Sequence, residues 1–348
     1  MSRRFVQIVA DDLTGALDAA APFATPDRPV RLLIGRAPAG ELSGLAGLTV
    51  SSESRDLAGS TGDAALERAF EMLVRAGVPE GRVALSFAKV DSVLRGRPVE
   101  ETLVRMRLWR TETCLFAPAF PGMGRRTVEG RHETLVDGAW QPAAVHDLSA
   151  AFRIAGTESR LRRAEDTRPE MDSGVIIGDA SEASHLTGHV AAFARRPDVV
   201  WAGSRGLAEA IAGAARPCGV PSLAAVIVGT SHVATRRQIG AAHEAGLFEK
   251  VRLIDPVPEA ANAEVTRARI ADAVAALQPS SGQGLLVVGG DTLASVLSAA
   301  DAELLDCVGE VAPGVPLSRL RGGRFDGVPL VTKSGGFGAP DLLVRLLG

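Results

Sequence analysis

Short, unbroken apolar runs recur along this chain, each followed by a polar or glycine-rich turn and then a helix-like stretch. In the first half, residues 5–9, 30–34, 48–51, 83–88 and 113–117 read as strands. Helices are expected over 16–21, 64–76 and 98–110. Gly77-Val78-Pro79 stops the second helix, and Pro98 opens the third, where its missing N–H has no intrahelical partner to lose. Strand–helix pairs return at 175–177 with 181–194 and at 199–202 with 206–214. Further on, strands at 224–228, 251–254, 284–288 and 330–331 alternate with helices ending near Ala245, Leu277, Ala300 and the C-terminus. Continuous apolar runs fit strands buried on both faces, and the alternation predicts parallel sheets flanked by helices.

Two stretches break the rhythm. Residues 126–141 are irregular and suggest a hairpin or flap turning at Asp137-Gly138. Residues 150–172 are arginine-rich and carry no clear period. The polar cluster at 51–55 reads, taken alone, as a solvated loop.

With 348 residues the chain is long for one core and suits two domains. Pro217-Cys218-Gly219-Val220-Pro221 reads as the linker. The expected division is 1–216 and 222–348, an α/β protein of two mostly parallel sheets with its active site in the cleft between domains. Composition is that of a globular protein, 46% hydrophobic and 23% charged. A net charge of −3 gives no reason to expect nucleic acid or an anionic membrane as partner. No apolar run reaches spanning length, and the arginines at the N-terminus pass straight into Asp11 and Asp12, unlike a signal peptide. Cys114, Cys218 and Cys307 are few and scattered, as in a reduced compartment, so a cytoplasmic location is expected.

Candidate chemistry clusters at strand ends. Asp11, Asp12, Thr14 and Gly15 lie between the first strand and its helix, where open α/β sheets place ligands and where free N–H groups attract anions. One carboxylate would serve as a helix cap; the second points to a site. Lys89, Asp91, Ser92 and Arg95 follow another strand, and Arg125 follows a third. The cations suit a small carboxylate, and the aspartates suit its hydroxyls. An internal ion-pair network is the competing reading.

In the second half Gly289-Gly290-Asp291-Thr292 and Lys333-Ser334-Gly335-Gly336-Phe337-Gly338 are glycine-rich turns after strands, able to bring N–H groups close to phosphate. Asp291 could hold Mg²⁺. Lys333 stands out because only three of the 38 basic residues are lysine, and a compact ammonium is not interchangeable with a planar guanidinium. There is no P-loop signature, no good G-x-G-x-x-G and no G-x-S-x-G elbow. His185 and His189, four apart, lack a third ligand and read as helix surface.

Taken together, Ala10-Asp11-Asp12-Leu13-Thr14-Gly15-Ala16, the run from Lys89 to Gly96, Pro118-Ala119-Phe120-Pro121 with Gly124-Arg125, the run from Gly229 to Gln238 and the two glycine turns resemble the four-carbon acid sugar kinase family. The resemblance spans nearly the whole chain in family order. It implies an acid-sugar-binding domain, an ATP-binding domain and Mg²⁺-assisted transfer of a phosphoryl group to the terminal hydroxyl of threonate, erythronate or 3-oxo-tetronate. It implies substrate contacts at Asp11, Asp12, Lys89, Asp91, Ser92, Arg95 and Arg125, with Asp12 catalytic. ATP contacts are implied at Thr230, Ser231, His232, Gly289, Gly290, Asp291, Thr292, Lys333, Gly335 and Gly336. Val93, His232 and Gly336 depart from the family pattern, and the chain is short after Asp147. A non-catalytic metabolite-binding protein, a kinase of another hydroxy acid and a homo-oligomer remain open at this point.

Overall fold

The computed structural model describes residues 5–35, 38–78 and 83–348, which leaves the N-terminal arginines and Pro79 outside the described residues. The chain forms two compact units: Met1–Phe23 with Gly40–Ala214, and Ala24–Ala39 with Ala215–Gly348. Segment 24–39, which the sequence pattern groups with the first half, therefore packs in the second unit.

The first unit opens with β1 (Phe5–Ala10), buried along its whole length, and α1 (Leu13–Ala20), which Asp12 caps. The chain then departs for β2 (Val30–Leu33), a strand of the second unit, and returns at β3 (Gly47–Ser51). Helix α2 (Gly59–Arg75) buries Gly62, Ala65, Leu66, Ala69 and Leu73, a stripe at helical spacing. After β4 (Val83–Lys89), α3 (Pro98–Leu108) has Pro98 and two glutamates in its first turn and two arginines in its last. Next come β5 (Thr113–Ala117) and a small antiparallel sheet, β6 (Arg125–Val128), β7 (Arg131–Val136) and β8 (Ala139–Asp147). Its β7–β8 turn is Asp137-Gly138, both at positive φ. The stretch 150–172 resolves into most of α4 (Leu148–Ile154) and the edge strand β9 (Ser159–Arg162). Strand β10 (Gly174–Gly178), α5 (Ala183–Ala192), β11 (Val199–Gly203) and α6 (Arg205–Ala212) complete the unit.

Its main sheet is parallel, in the order β3-β1-β4-β11-β5-β10-β9. The core beneath it gathers Val90, Leu94, Phe116, Phe152 and Ile177, with Phe116 and Phe152 edge to face. His189 of α5 is fully buried, its Nε2 2.6 Å from the Asp179 carbonyl oxygen, so the helix-surface expectation fails for it.

The second unit runs β12 (Leu223–Val228), α7 (Val233–Glu244), β13 (Arg252–Ile254), α8 (Ala263–Ala275), β14 (Gly284–Val288) and α9 (Gly290–Ala299). Then β15 (Leu304–Ala312) and β16 (Val315–Arg321) form an antiparallel pair ahead of β17 (Pro329–Lys333) and α10 (Leu342–Leu347). The sheet order is β13-β12-β14-β17-β16-β15-β2. Its first four strands are parallel; β16, β15 and β2 join antiparallel, so this sheet is mixed rather than wholly parallel. Asp306 of β15 fastens β2 by a two-point ion pair with Arg31, at 2.7 and 3.0 Å, and also receives Arg321 at 2.8 Å. Among the described residues no helix is long and apolar enough to cross a membrane.

Candidate functional site

In the first unit the parallel register places Ala10 beside Ser51, so the residues that follow β1 and β3 emerge side by side. Asp12 leaves β1 in extended backbone and caps α1: its Oδ1 accepts from the Gly15 amide at 2.8 Å and its Oδ2 from the Thr14 hydroxyl at 2.7 Å. Arg55, four residues beyond the end of β3, reaches across. Its Nε and Nη2 grip both oxygens of Asp11 at 2.8 and 2.9 Å, and its Nη1 donates to Asp12 Oδ2 at 2.9 Å. Asp91 Oδ1 lies 3.8 Å from the same guanidinium. Arg55 is thus the hub of three carboxylates. Burial works against its charge, but the carboxylates of Asp11, Asp12 and Asp91 outweigh it and hold its pKa above the ordinary arginine value.

The loop after β4 folds around Asp91. This carboxylate accepts from the Val93 and Arg95 amides, each at 3.2 Å, and from the Arg95 side chain at 2.7 and 3.1 Å. Burial opposes its charge, but the Arg95 hydrogen bonds and the charges of Arg55, Arg95 and Lys89 keep its pKa well below the usual carboxylate range. Lys89 is buried at the end of β4 and donates to the Val90 carbonyl at 2.8 Å. Its ammonium also stands 3.5 Å from where a side chain at Gly15 would begin, so it faces the start of α1.

The small sheet closes on this loop. Buried His132 of β7 donates from Nε2 to the Ser92 carbonyl at 2.9 Å while Nδ1 pairs with the Thr127 hydroxyl at 2.9 Å, and the Ala144 amide donates to the Val93 carbonyl. Burial lowers the His132 pKa, so the ring is neutral near pH 7. Arg125, at the head of β6, is half-buried with Nε unpaired; burial lowers its pKa against the opposing pull of Asp91. Three carboxylates (Asp11, Asp12, Asp91) thus face four cations (Lys89, Arg55, Arg95, Arg125), an excess of one positive charge.

The structure therefore gathers Asp11, Asp12, Lys89, Asp91, Arg95 and Arg125, with Ser92 turning its carbonyl to the small sheet. Arg55 and His132 were not anticipated. The reading of 51–55 as a solvated loop is wrong: Ser52 and Ser54 are buried, their hydroxyls 2.7 Å apart, and Arg55 is mostly enclosed. The signal was a single arginine beyond a strand. Its meaning depends on β3 lying next to β1, which local pattern does not reveal.

In the second unit three turns converge at the carboxyl ends of β12, β14 and β17. Gly229 lies against Thr292, Gly289 against Thr292 and Thr230, Gly335 against Thr230, and Gly336 against His232. At Gly229 a Cβ would sit 2.5 Å from Thr292 Oγ1, so only glycine allows this approach. Gly289, at φ 105, needs glycine for conformation as well, and its amide donates to the Lys333 carbonyl at 2.9 Å. His232 caps α7, its Nδ1 accepting from the Ala234 amide at 3.2 Å. Arg236 donates to the Thr230 carbonyl and pairs with Asp255. Asp291 is exposed in the first turn of α9. Among the described residues no three potential ligands gather around a metal position, so Asp291 fits Mg²⁺ only where phosphate oxygens supply the remaining ligands. Lys333 is fully buried and donates to the carbonyls of Ser334 and Phe337, both at 2.9 Å.

One α/β unit thus carries a carboxylate–guanidinium cluster at its strand ends, and the other carries three glycine turns at its strand ends. Sequence comparison gives each half of the chain a domain type. Residues 6–164 match the sugar-binding N-terminal domain and 249–343 the nucleotide-binding C-terminal domain. The chain belongs to the four-carbon acid sugar kinase family, which pairs these domains. It is 28% identical to a D-threonate kinase of Bordetella bronchiseptica, covering 99% of this chain and 97% of that one. It is 29% identical to a D-threonate kinase of Cupriavidus necator, over 95% and 94%. A 3-oxo-tetronate kinase of Pseudomonas fluorescens is 28% identical over 58% of this chain and 44% of its own. A Salmonella typhimurium LT2 structure (TM-score 0.74, 18% identity) and a Haemophilus influenzae protein (TM-score 0.68, 17% identity) share the fold, each covering 98% of both chains.

Proposed function

We propose that this protein is an ATP- and Mg²⁺-dependent kinase that phosphorylates the terminal hydroxyl of a four-carbon acid sugar, with D-threonate the first candidate. The observation that carries this reading is the meeting of three glycine turns at the strand ends of the second unit, where backbone N–H groups can approach phosphate. Its complement is the strand-end cluster of the first unit, whose excess positive charge suits a carboxylate and whose aspartates suit hydroxyls.

Phosphoryl transfer depends on positioning and on neutralising charge rather than on covalent chemistry by the protein. On this reading Lys89, Arg95 and Arg125, with Ser92, hold the acid end of the sugar. Asp11, Asp12 and Asp91 accept from its hydroxyls. Arg55 and the cap to Gly15 fix the Asp12 carboxylate, so it presents an acceptor of set direction to the reacting hydroxyl. Thr230, Ser231, His232, Gly289, Gly290, Asp291, Thr292, Lys333, Gly335 and Gly336 form the nucleotide site. Mg²⁺, carried by the phosphates against Asp291, would supply charge neutralisation there. A place in carbohydrate metabolism in the cytoplasm follows from this reading.

A coupled assay of ADP release over D- and L-threonate, D- and L-erythronate, 3-oxo-tetronates and longer aldonates tests it. Substrate-stimulated ADP with a four-carbon acid is expected. Release with none of the panel would reject the kinase. Release only with a longer acid would replace the substrate class.

A further inference from the structure

We propose that Lys333 and Gln238 are positioning residues that hold loop 334–339 with its carbonyls turned inward, so that its amides form an anion-binding nest, and that Lys333 acts from beneath this nest rather than as a phosphate ligand. The proposal rests on the kinase reading and refines the part of Lys333 within it.

The geometry is unusual in how many loop carbonyls are taken by side chains. Lys333 Nζ donates to the carbonyls of Ser334 and Phe337 at 2.9 Å and lies 3.4 Å from Thr235 Oγ1. The Thr235 hydroxyl donates to the Gly335 carbonyl at 2.6 Å. Gln238, one helical turn further along α7, points Nε2 at the carbonyls of Phe337, Gly338 and Ala339, each at 3.0 Å. Five carbonyls of a six-residue loop are thus drawn to one side by three side chains, each buried to the last per cent. The amide orientation of Gln238 follows from its partners: turned over, its oxygen would face three carbonyl oxygens. The oxygen is instead left buried without a donor, which marks the hold on the loop as the purpose of this residue.

Carbonyls and amides of successive residues point in opposed directions, so a loop whose carbonyls turn inward offers amides outward. The amides of Gly335 and Gly336 donate to no acceptor among the described residues. Gly335 lies against Thr230 and Gly336 against His232, so both stand beside the loop that follows β12.

The ammonium has three N–H groups and three protein acceptors, so none is left for a phosphate oxygen. Its charge still acts. No carboxylate pairs with it among the described residues: on α7, Arg236 is engaged by Thr230 and Asp255 and His232 caps the helix, while Asp291 of α9 is exposed. Burial alone lowers the Lys333 pKa to about 8. An anion in the nest would raise it again.

Calorimetry of ADP binding to the full chain at pH 8.5, in two buffers of different ionisation enthalpy, reads this directly. The wild type should take up a fraction of a proton on binding ADP, which carries no titrating phosphate at that pH. Lys333→Met should abolish the uptake. It should also weaken ADP by about 10- to 100-fold, the usual cost of losing a support behind a binding group. Gln238→Met should weaken ADP similarly yet keep the uptake, and neither variant should change the affinity for the acid sugar. Failure of the wild type to bind ADP overturns the nucleotide reading and this inference with it. ADP binding without proton uptake, or with unchanged affinity in both variants, overturns the inference alone. Should Lys333→Met fail to fold, the wild-type uptake and Gln238→Met still decide it.

Discussion

At the scale of single residues, charge in the first unit is organised around two groups with opposite roles. Arg55 draws three carboxylates together, and Asp91 in turn collects Arg95, two amides and part of the Arg55 field. The folded-state pKa of Asp91 lies below its unfolded value of 3.8, so its contribution is complete above that value and is lost as pH falls through the folded pKa. Asp91→Asn should therefore lower stability at pH 7 by about 3 kcal/mol, the low end for breaking one partner of a buried pair, because Arg95 is half exposed. The gap between wild type and variant should hold from pH 7 down to near 3.8 and narrow steadily from there to pH 2.5, as read by urea denaturation over that range. A gap independent of pH would mean that Asp91 acts through packing rather than charge. The aspartates and Lys89 were legible because carboxylates and a rare lysine at strand ends are local facts. Arg55 was not, because its partners lie more than forty residues away in sequence, at |i−j| of 43 and 44.

At the scale of elements, strand–turn–helix units were readable because parallel strands buried on both faces are continuous apolar runs. Residues 304–321, which carry the β15–β16 pair, were unassigned: mixed residues such as Asp306, Arg319 and Arg321 interrupt the apolar runs, and their partners are elsewhere in the sheet. The glycine turns were visible as composition, but their convergence was not. Gly229 is the tightest point of it. Gly229→Ala would press a Cβ against Thr292 Oγ1 and Ile270 Cδ1, at 2.5 and 3.0 Å. A loss of about 1–3 kcal/mol is expected for overpacking of this kind. Thr292→Ala in the same chain should recover most of it, giving a coupling of at least about 0.5 kcal/mol in a double-mutant cycle. Additive effects would show that the two turns do not touch.

At the scale of the whole molecule, the pattern of apolar runs places a boundary at 217–221 but cannot show that 24–39 crosses into the other unit. A four-residue strand looks the same whichever sheet receives it. What decides its place is Asp306, nearly fully buried and paired with both Arg31 and Arg321. Asp306→Ala should leave two guanidinium groups without their carboxylate and destabilise the second unit by about 3–5 kcal/mol. Amide exchange should accelerate first in β2 and β15. Equal acceleration throughout the first unit would show instead that the two units unfold as one.

The excursion of β2 also has a consequence for biosynthesis. Arg31 and Asp306 are 275 residues apart. At about 5–20 residues per second, β2 leaves the ribosome roughly 14–55 s before the strand that receives it has been made. During that interval the edge of this short apolar strand that will pair with β15 is open to other nascent chains. Arg31, in the middle of it, then serves as a charged gatekeeper before it has an ion-pair partner.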